Sequence, residues 1–351
     1  MRVLQFGLAV IFGVLSLAPS GATAKPVLAT SPELLDYLIQ DVCTDAQSRP
    51  IQGDPATCRR HRNIAIGEPS PYLVTDFEVS NGKTYSAMNS IPVSALDGNM
   101  RIIVTKSMQG NFRPGFRFSF DASRDGYDLI DITNSEYASF IRTSDGGCFD
   151  QIFSKRGSFR NAKDRAGGWI LFPRTAPSTW PVSRGVPVTT YKIQLTKGRP
   201  GCNNGHSTGM TFWNRPVVYR FETDKALRAI RSDHFASGDL GAENNALERY
   251  YFTREYGFTR WEAWVPLARC FQEHGTDAAI CHPERPDYAL RGRCSVLNST
   301  SSGLPGMDQW GNQTWVRVDC RDQTKYLALD HPQRLLSPTM ARDNGVEDLQ
   351  P

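Results

Sequence analysis

Along most of the chain, apolar and polar positions alternate with a period of two, the pattern of strands that bury one face. From about residue 72 onward, turn signals recur roughly every ten residues. FRFSF at 116–120 alternates, RDG at 124–126 turns, YDLIDIT at 127–133 returns and YASFIRT at 137–143 follows. SDGG at 144–147 then turns into CFDQIF at 148–153, which completes an antiparallel meander. Further strands are predicted at 101–106, 168–173, 189–196, 216–222 and 315–320. Strands do not alternate with helices, so a doubly wound α/β fold is disfavoured. The expected fold is mainly β: an antiparallel β-sandwich or jelly-roll-like domain with a short N-terminal helix and a disulfide-rich C-terminal region.

Two segments depart from this period. SPELLDYLIQDVC at 31–43 predicts a helix with Ser31 as N-cap, Pro32 at the first helical position and Glu33 in the first turn. Leu34, Leu35, Leu38 and Val42 would form its apolar face. DKALRAIR at 224–231 predicts a second short helix, followed by a polar loop at 232–245. The densest aromatic segment, 246–266, predicts a β-hairpin turning at Tyr256-Gly257.

The first 24 residues have the form of a secretory signal peptide. Arg2 precedes an apolar run at 3–18, and Ala22-Thr23-Ala24 offers a small-residue cleavage site. The organisation that follows is a helical strap and loop at 25–70, a β-rich domain at 71–330 with a candidate boundary near 223–245, and a polar tail at 331–351. No later segment is apolar enough to span a bilayer, so the expected location is secreted or periplasmic.

That location changes the reading of the eight cysteines, because an even number in an exported chain is free to pair. Loop-closure entropy favours near neighbours, which pairs Cys43 with Cys58, Cys270 with Cys281 and Cys294 with Cys320, leaving Cys148 with Cys202. Zinc is disfavoured. Cys270, His274, Cys281 and His282 cluster, but without the CxxC or HxxxH spacing that sets four ligands around one ion. Forty Lys and Arg against 36 Asp and Glu leave a net charge of only +4, too balanced for the basic surface of a nucleic-acid binder.

Candidate chemistry concentrates in the predicted hairpin. With a two-residue loop, Arg249 would oppose Trp264, Tyr251 would oppose Glu262 and Thr253 would oppose Arg260. One face then collects Arg249, Tyr251, Arg260, Glu262 and Trp264, while Tyr250, Phe252 and Trp261 point to the other. Aromatic rings beside Arg and Glu can bind sugars, since a ring meets CH faces while charged groups make paired hydrogen bonds to hydroxyls. In a hydrolytic version Glu262 would act as acid or base. The competing reading is a sheet face laced by cross-strand ion pairs.

Other motifs are weaker. GHSTG at 205–209 fits a serine-nucleophile pattern, and Asp233 and His234 follow in chain order, but Ser207 lacks the strand-to-helix turn that lifts such a hydroxyl. DASRDGYD at 121–128 makes Asp121, Asp125 and Asp128 candidate calcium ligands, yet Ile132 stands where the bidentate Glu belongs, so a hairpin turn is favoured. No other cofactor is expected. Asn298 and Asn312 head N-glycosylation acceptor sequences, and Trp213, Trp310 and Trp315 are expected in the core.

These readings support an exported carbohydrate-binding or carbohydrate-processing protein with a glycan as partner. The alternative is a non-catalytic structural or interaction protein of the envelope or cell exterior. A serine hydrolase using Ser207 stands third.

Overall fold

The structure, a computed structural model, describes residues 34–65, 68–75, 87–88, 90–94, 100–105, 127–131, 137–142, 169–173, 182–183, 186–194, 208–221, 225–237, 239–288 and 306–333. The expected leader, the strands at 116–120 and 148–153, Ser207, Asp121, Asp125 and Asn298 lie outside these residues.

The described chain is mainly β. Its first half contains β1 (Asp41–Thr44), β2 (Pro50–Ile51), β3 (His61–Asn63), β4 (Ser70–Thr75), β5 (Ala87–Met88), β6 (Ser90–Ser94), β7 (Met100–Thr105), β8 (Tyr127–Asp131), β9 (Tyr137–Arg142) and β10 (Trp169–Pro173). Then come β11 (Val182–Ser183), β12 (Val186–Gln194), β13 (Thr208–Asn214), β14 (Val217–Arg220), β15 (Ala226–Phe235), β16 (Leu247–Thr253) and β17 (Gly257–Pro266). Helix α1 (Leu267–His274) leads on to β18 (Met307–Trp310), β19 (Gln313–Asp322) and β20 (Lys325–Gln333).

Among the described residues four antiparallel sheets form. β2-β1-β3 and β20-β4-β5 are small. In β10-β9-β8-β7-β6 only the central pair of the predicted meander forms, β8 with β9, and it is flanked by β7 and β10 where the segments at 116–120 and 148–153 were expected. The nine-stranded sheet runs β11-β12-β13-β15-β16-β17-β19-β18, with β14 also pairing with β15, and it curls into a half-barrel. β13 and β14 run along β15 one after the other. Asn214 spans the break between them: its Oδ1 accepts the Arg231 N–H at 2.7 Å and its Nδ2 donates to the Tyr219 hydroxyl at 2.7 Å.

One face of the large sheet packs on β10. Ile230, Tyr250, Phe252 and Phe258 meet Leu171 and Phe172 in one buried cluster, with the Phe172 and Phe252 rings edge to face at 5.4 Å. Each such side chain contributes roughly 1.5–3 kcal/mol of burial. A second cluster gathers Phe235, Leu247, Trp264, Trp310 and Trp315, and Trp213 is buried in the first.

Two predicted helices are replaced. Of the segment expected as a helix at 31–43, the described residues 34–43 form a 3-10 turn, Leu34–Tyr37, and then enter strand β1 at Asp41. The apolar positions are buried as expected, but the backbone is claimed by other segments: Gln40 N–H donates to the Ser90 carbonyl and Asp41 N–H to that of Arg254. Of the segment at 224–231, residues 226–231 belong to β15, where Ala226 and Arg228 are exposed and Leu227 and Ala229 buried. Its helix-forming composition is overridden by pairing with β14 and β16. The loop expected at 232–245 therefore starts after Phe235, and β20 carries regular structure three residues into the expected tail.

The hairpin of β16 and β17 forms with a different turn. Arg254, Glu255 and Tyr256 make a three-residue loop, and Gly257 enters β17 at φ 65°, in the left-handed region. At the turn Thr253 opposes Gly257, three residues from the expected Arg260, and a register shift between Tyr251 and Phe252 then brings Tyr251 opposite Arg260 and Arg249 opposite Glu262, two residues from the expected pairing. A two-residue displacement preserves the faces, since side chains alternate with period two.

Two predicted disulfides form, Cys43–Cys58 and Cys270–Cys281, with Cα atoms 6.0 and 5.8 Å apart. The second makes Cys270 and Cys281 unavailable to zinc. Cys320 is also disulfide-bonded, while Cys148, Cys202 and Cys294 lie outside the described residues. Among the described residues no helix is long and apolar enough to cross a membrane.

Candidate functional site

The second face of the large sheet carries the charges expected on the hairpin, and neighbouring strands add more. Cross-strand pairing aligns Asp233, Arg249 and Glu262 in one row and Arg231, Tyr251, Arg260 and Asp322 in the next. β19 contributes Arg317 beside Trp264, and β18 contributes Asp308. Four arginines and four carboxylates therefore share one face.

They form a closed network. Arg249 bonds Asp233 through Nε and Asp308 through Nη2 at 2.7 Å. Arg260 Nη2 lies 2.6 Å from Glu262 Oε1, which also accepts Arg317 Nη1 at 3.1 Å. The other Glu262 oxygen accepts the Trp264 indole N–H at 2.9 Å. Arg231 Nε is 3.0 Å from Asp233, and Arg260 Nη1 is 3.5 Å from Asp322. Arg249 lies over the Trp264 ring at 4.7 Å, and Arg260 lies over Tyr251 at 5.9 Å.

Burial decides what this face can do. Arg249, Tyr251, Arg260, Glu262 and Trp264 are 4%, 3%, 0%, 1% and 4% exposed. The hairpin face is thus assembled as expected but enclosed, and only the side chains of Arg231 and Asp308, at 13% and 21%, reach solvent appreciably. Burial works against ionisation of Glu262, but Arg260, Arg317 and Arg249 outweigh it and hold the carboxyl down at about 2. Asp308 is likewise lowered, with Arg249 and Arg231 overcoming its burial. On Arg249, desolvation is outweighed chiefly by Asp233, so the guanidinium stays charged. Burial raises the Tyr251 hydroxyl. Glu262 holds no proton to give near neutrality, and the Trp264 face that would meet a sugar already carries Arg249.

His234 points to the opposite face. Its Nε2 is 2.8 Å from Ser232 Oγ, and that hydroxyl donates to the Leu171 carbonyl at 2.5 Å. The serine proton is committed to the backbone, so the pair lacks the direction of a nucleophile and its base. Burial lowers the imidazole to about 3 and keeps it neutral. Asp233 adjoins His234 in sequence but bonds Arg231 and Arg249 on the charged face.

Asp128 lies on β8. Among the described residues, no group of three or more His, Cys, Asp or Glu side chains is placed to hold a metal ion. Asn312 is exposed in the turn between β18 and β19. Arg231, Asp233, Asp308, Arg317 and Asp322 were not anticipated in the network. Their signal was present as charges at every second position, as in RSD at 231–233, but charges in strands are ordinarily placed toward water. Comparison with known protein families, curated proteins and solved structures finds no match to this chain.

Proposed function

We propose that the chain is an exported, non-catalytic interaction protein of the periplasm or cell exterior, built as a sandwich-like β body whose charged sheet face is an internal brace. The observation that carries this reading is the closure of the network: each of the four arginines is paired with a carboxylate, and the hairpin members are at most 4% exposed. Such a network fixes strand register, keeps Glu262 ionised and covers the Trp264 ring with Arg249, so neither is free to serve a substrate. The Cys43–Cys58 and Cys270–Cys281 bridges support an oxidising compartment. Tryptophan fluorescence under titration with a panel of oligosaccharides tests the reading. No quench should distinguish the wild type from Trp264→Phe; a saturable quench lost in that variant overturns it.

One observation favours a second reading. The rim formed by Arg231 and Asp308 presents both charge signs to solvent at the edge of the buried aromatics, which suits hydrogen bonding to sugar hydroxyls. Carbohydrate binding there requires that Asp308→Ala abolish a saccharide signal without unfolding the chain.

A further inference from the structure

A hollow of about 430 Å³ opens beside the first sheet, lined by Thr44, Ser48, Arg59, Arg60, His61 and Arg62, with Asp45 and Ala46 completing its wall. Most charges around it are already matched. Arg62 bonds both Glu68 oxygens, at 2.8 and 2.7 Å, and His61 Nδ1 is 2.6 Å from Asp41. Asp45 is satisfied by Arg49 at 2.7 Å and by the N–H groups of Gln47 and Arg49. Arg59 and Arg60 differ: among the described residues no carboxylate pairs with either guanidinium. They are not on a loose tip. The Cys43–Cys58 bridge precedes them, the Arg60 carbonyl accepts the Thr44 N–H at 2.9 Å, and His61 begins the strand paired with β1.

We propose that this hollow binds a tetrahedral oxyanion, the phosphate or sulfate ester group of a soluble ligand, between the Arg59 and Arg60 guanidiniums with the Thr44 and Ser48 hydroxyls as additional donors. Two unpaired forks match an anion that offers several acceptor oxygens and more than one charge, and a fixed backbone lowers the cost of ordering them. The site goes beyond the interaction role proposed above and does not depend on it.

The test is calorimetric titration of the full chain with inorganic phosphate and inorganic sulfate at fixed ionic strength, followed by glycerol phosphate and a sulfated monosaccharide. Saturable binding at one site is expected, weakened at least about tenfold in Arg59→Gln/Arg60→Gln. It should be unchanged in Arg228→Gln, an exposed arginine elsewhere. Unaltered circular dichroism of the double variant shows that the loss is local, and preference between the two esters identifies the source of the anion. Absence of saturable binding, equal affinity in the double variant, or equal loss in Arg228→Gln overturns the proposal.

Discussion

The guanidinium of Arg249 lies over the indole of Trp264 while Trp264 donates its N–H to Glu262, one of the carboxylates Arg249 faces. Aromatic ring, cation and anion therefore constrain one another, and removing any one leaves a buried charge without its full complement. Arg249→Met should cost about 3–5 kcal/mol in urea unfolding, because Asp233 keeps only Arg231, Asp308 loses its bond to Arg249, and Glu262 loses one of the cations around it inside the protein. Arg249→Lys should recover little of this, since one ammonium cannot reach both carboxylates with the geometry of a fork. At the exposed Arg285–Asp287 pair, Arg285→Met should cost less than about 1 kcal/mol. Comparable losses at the two sites would show that the network is not enclosed.

Stability should fall with acid in two separable stages. His234 has a folded value of about 3 against 6.5 for the free group, so the unfolded chain binds its proton first. Its contribution is fully present above 6.5 and is lost as pH falls from there toward 3. Glu262 is depressed to about 2 from 4.5, so its contribution is full above 4.5 and is lost as pH falls below that. Each window has a limiting slope of about 1.4 kcal/mol per pH unit. His234→Gln should flatten the unfolding free energy between pH 6.5 and 4.5 relative to the wild type while leaving the Glu262 loss below 4.5. A His234→Gln curve parallel to the wild type across the upper window would show that the imidazole is accessible to protons.

The faces of the β16–β17 hairpin were legible from sequence because only parity matters for them: Arg249, Tyr251, Arg260, Glu262 and Trp264 share a face in either register. The pairing itself was not legible, because it depends on a three-residue loop that Gly257 closes in a left-handed conformation and on a register shift between Tyr251 and Phe252 that restores the parity the loop alone would break. Near-neighbour disulfides followed from loop entropy, as at Cys43–Cys58. β15 was hidden by Ala226, Leu227 and Arg228, good helix formers whose preference is small beside two strand neighbours. Asp308, Arg317 and Asp322 were hidden for another reason. A charge declares itself buried only through its partners, and these come from strands far apart in the chain.

Gly257 also allows close packing. A Cβ added there would collide with Cβ and Oγ of Ser90, whose hydroxyl accepts the Phe258 N–H at 2.9 Å. Gly257→Ala should destabilise by about 1–3 kcal/mol, from left-handed strain together with the collision. In a Ser90→Gly background the collision is relieved, so the same substitution should cost less there, and the double-mutant cycle should give a coupling of at least about 0.5 kcal/mol. Additive costs would mean that backbone strain alone accounts for the glycine.

The loop carrying Asp54 is tied to the large sheet through Lys225. Its ammonium lies 2.5 Å from Asp54 Oδ2 and 2.5 Å from the Tyr256 hydroxyl, and it donates to the Thr324 carbonyl at 2.8 Å. Tyr256 in turn donates a hydrogen bond to Asp54 Oδ1 at 2.5 Å, so a single cation organises three acceptors from three segments. Burial, reinforced by Asp54, raises the Tyr256 hydroxyl and keeps it a donor at any ordinary pH. Lys225→Met should cost about 1–3 kcal/mol, because Asp54 and the Thr324 carbonyl each lose a partner. Tyr256→Phe should cost about 1 kcal/mol, since Lys225 still meets Asp54. The two variants also separate by limited proteolysis: cleavage within residues 44–57 should accelerate in Lys225→Met and much less in Tyr256→Phe. Equal protection of that loop in both variants and the wild type would show that the Cys43–Cys58 bridge alone holds it down.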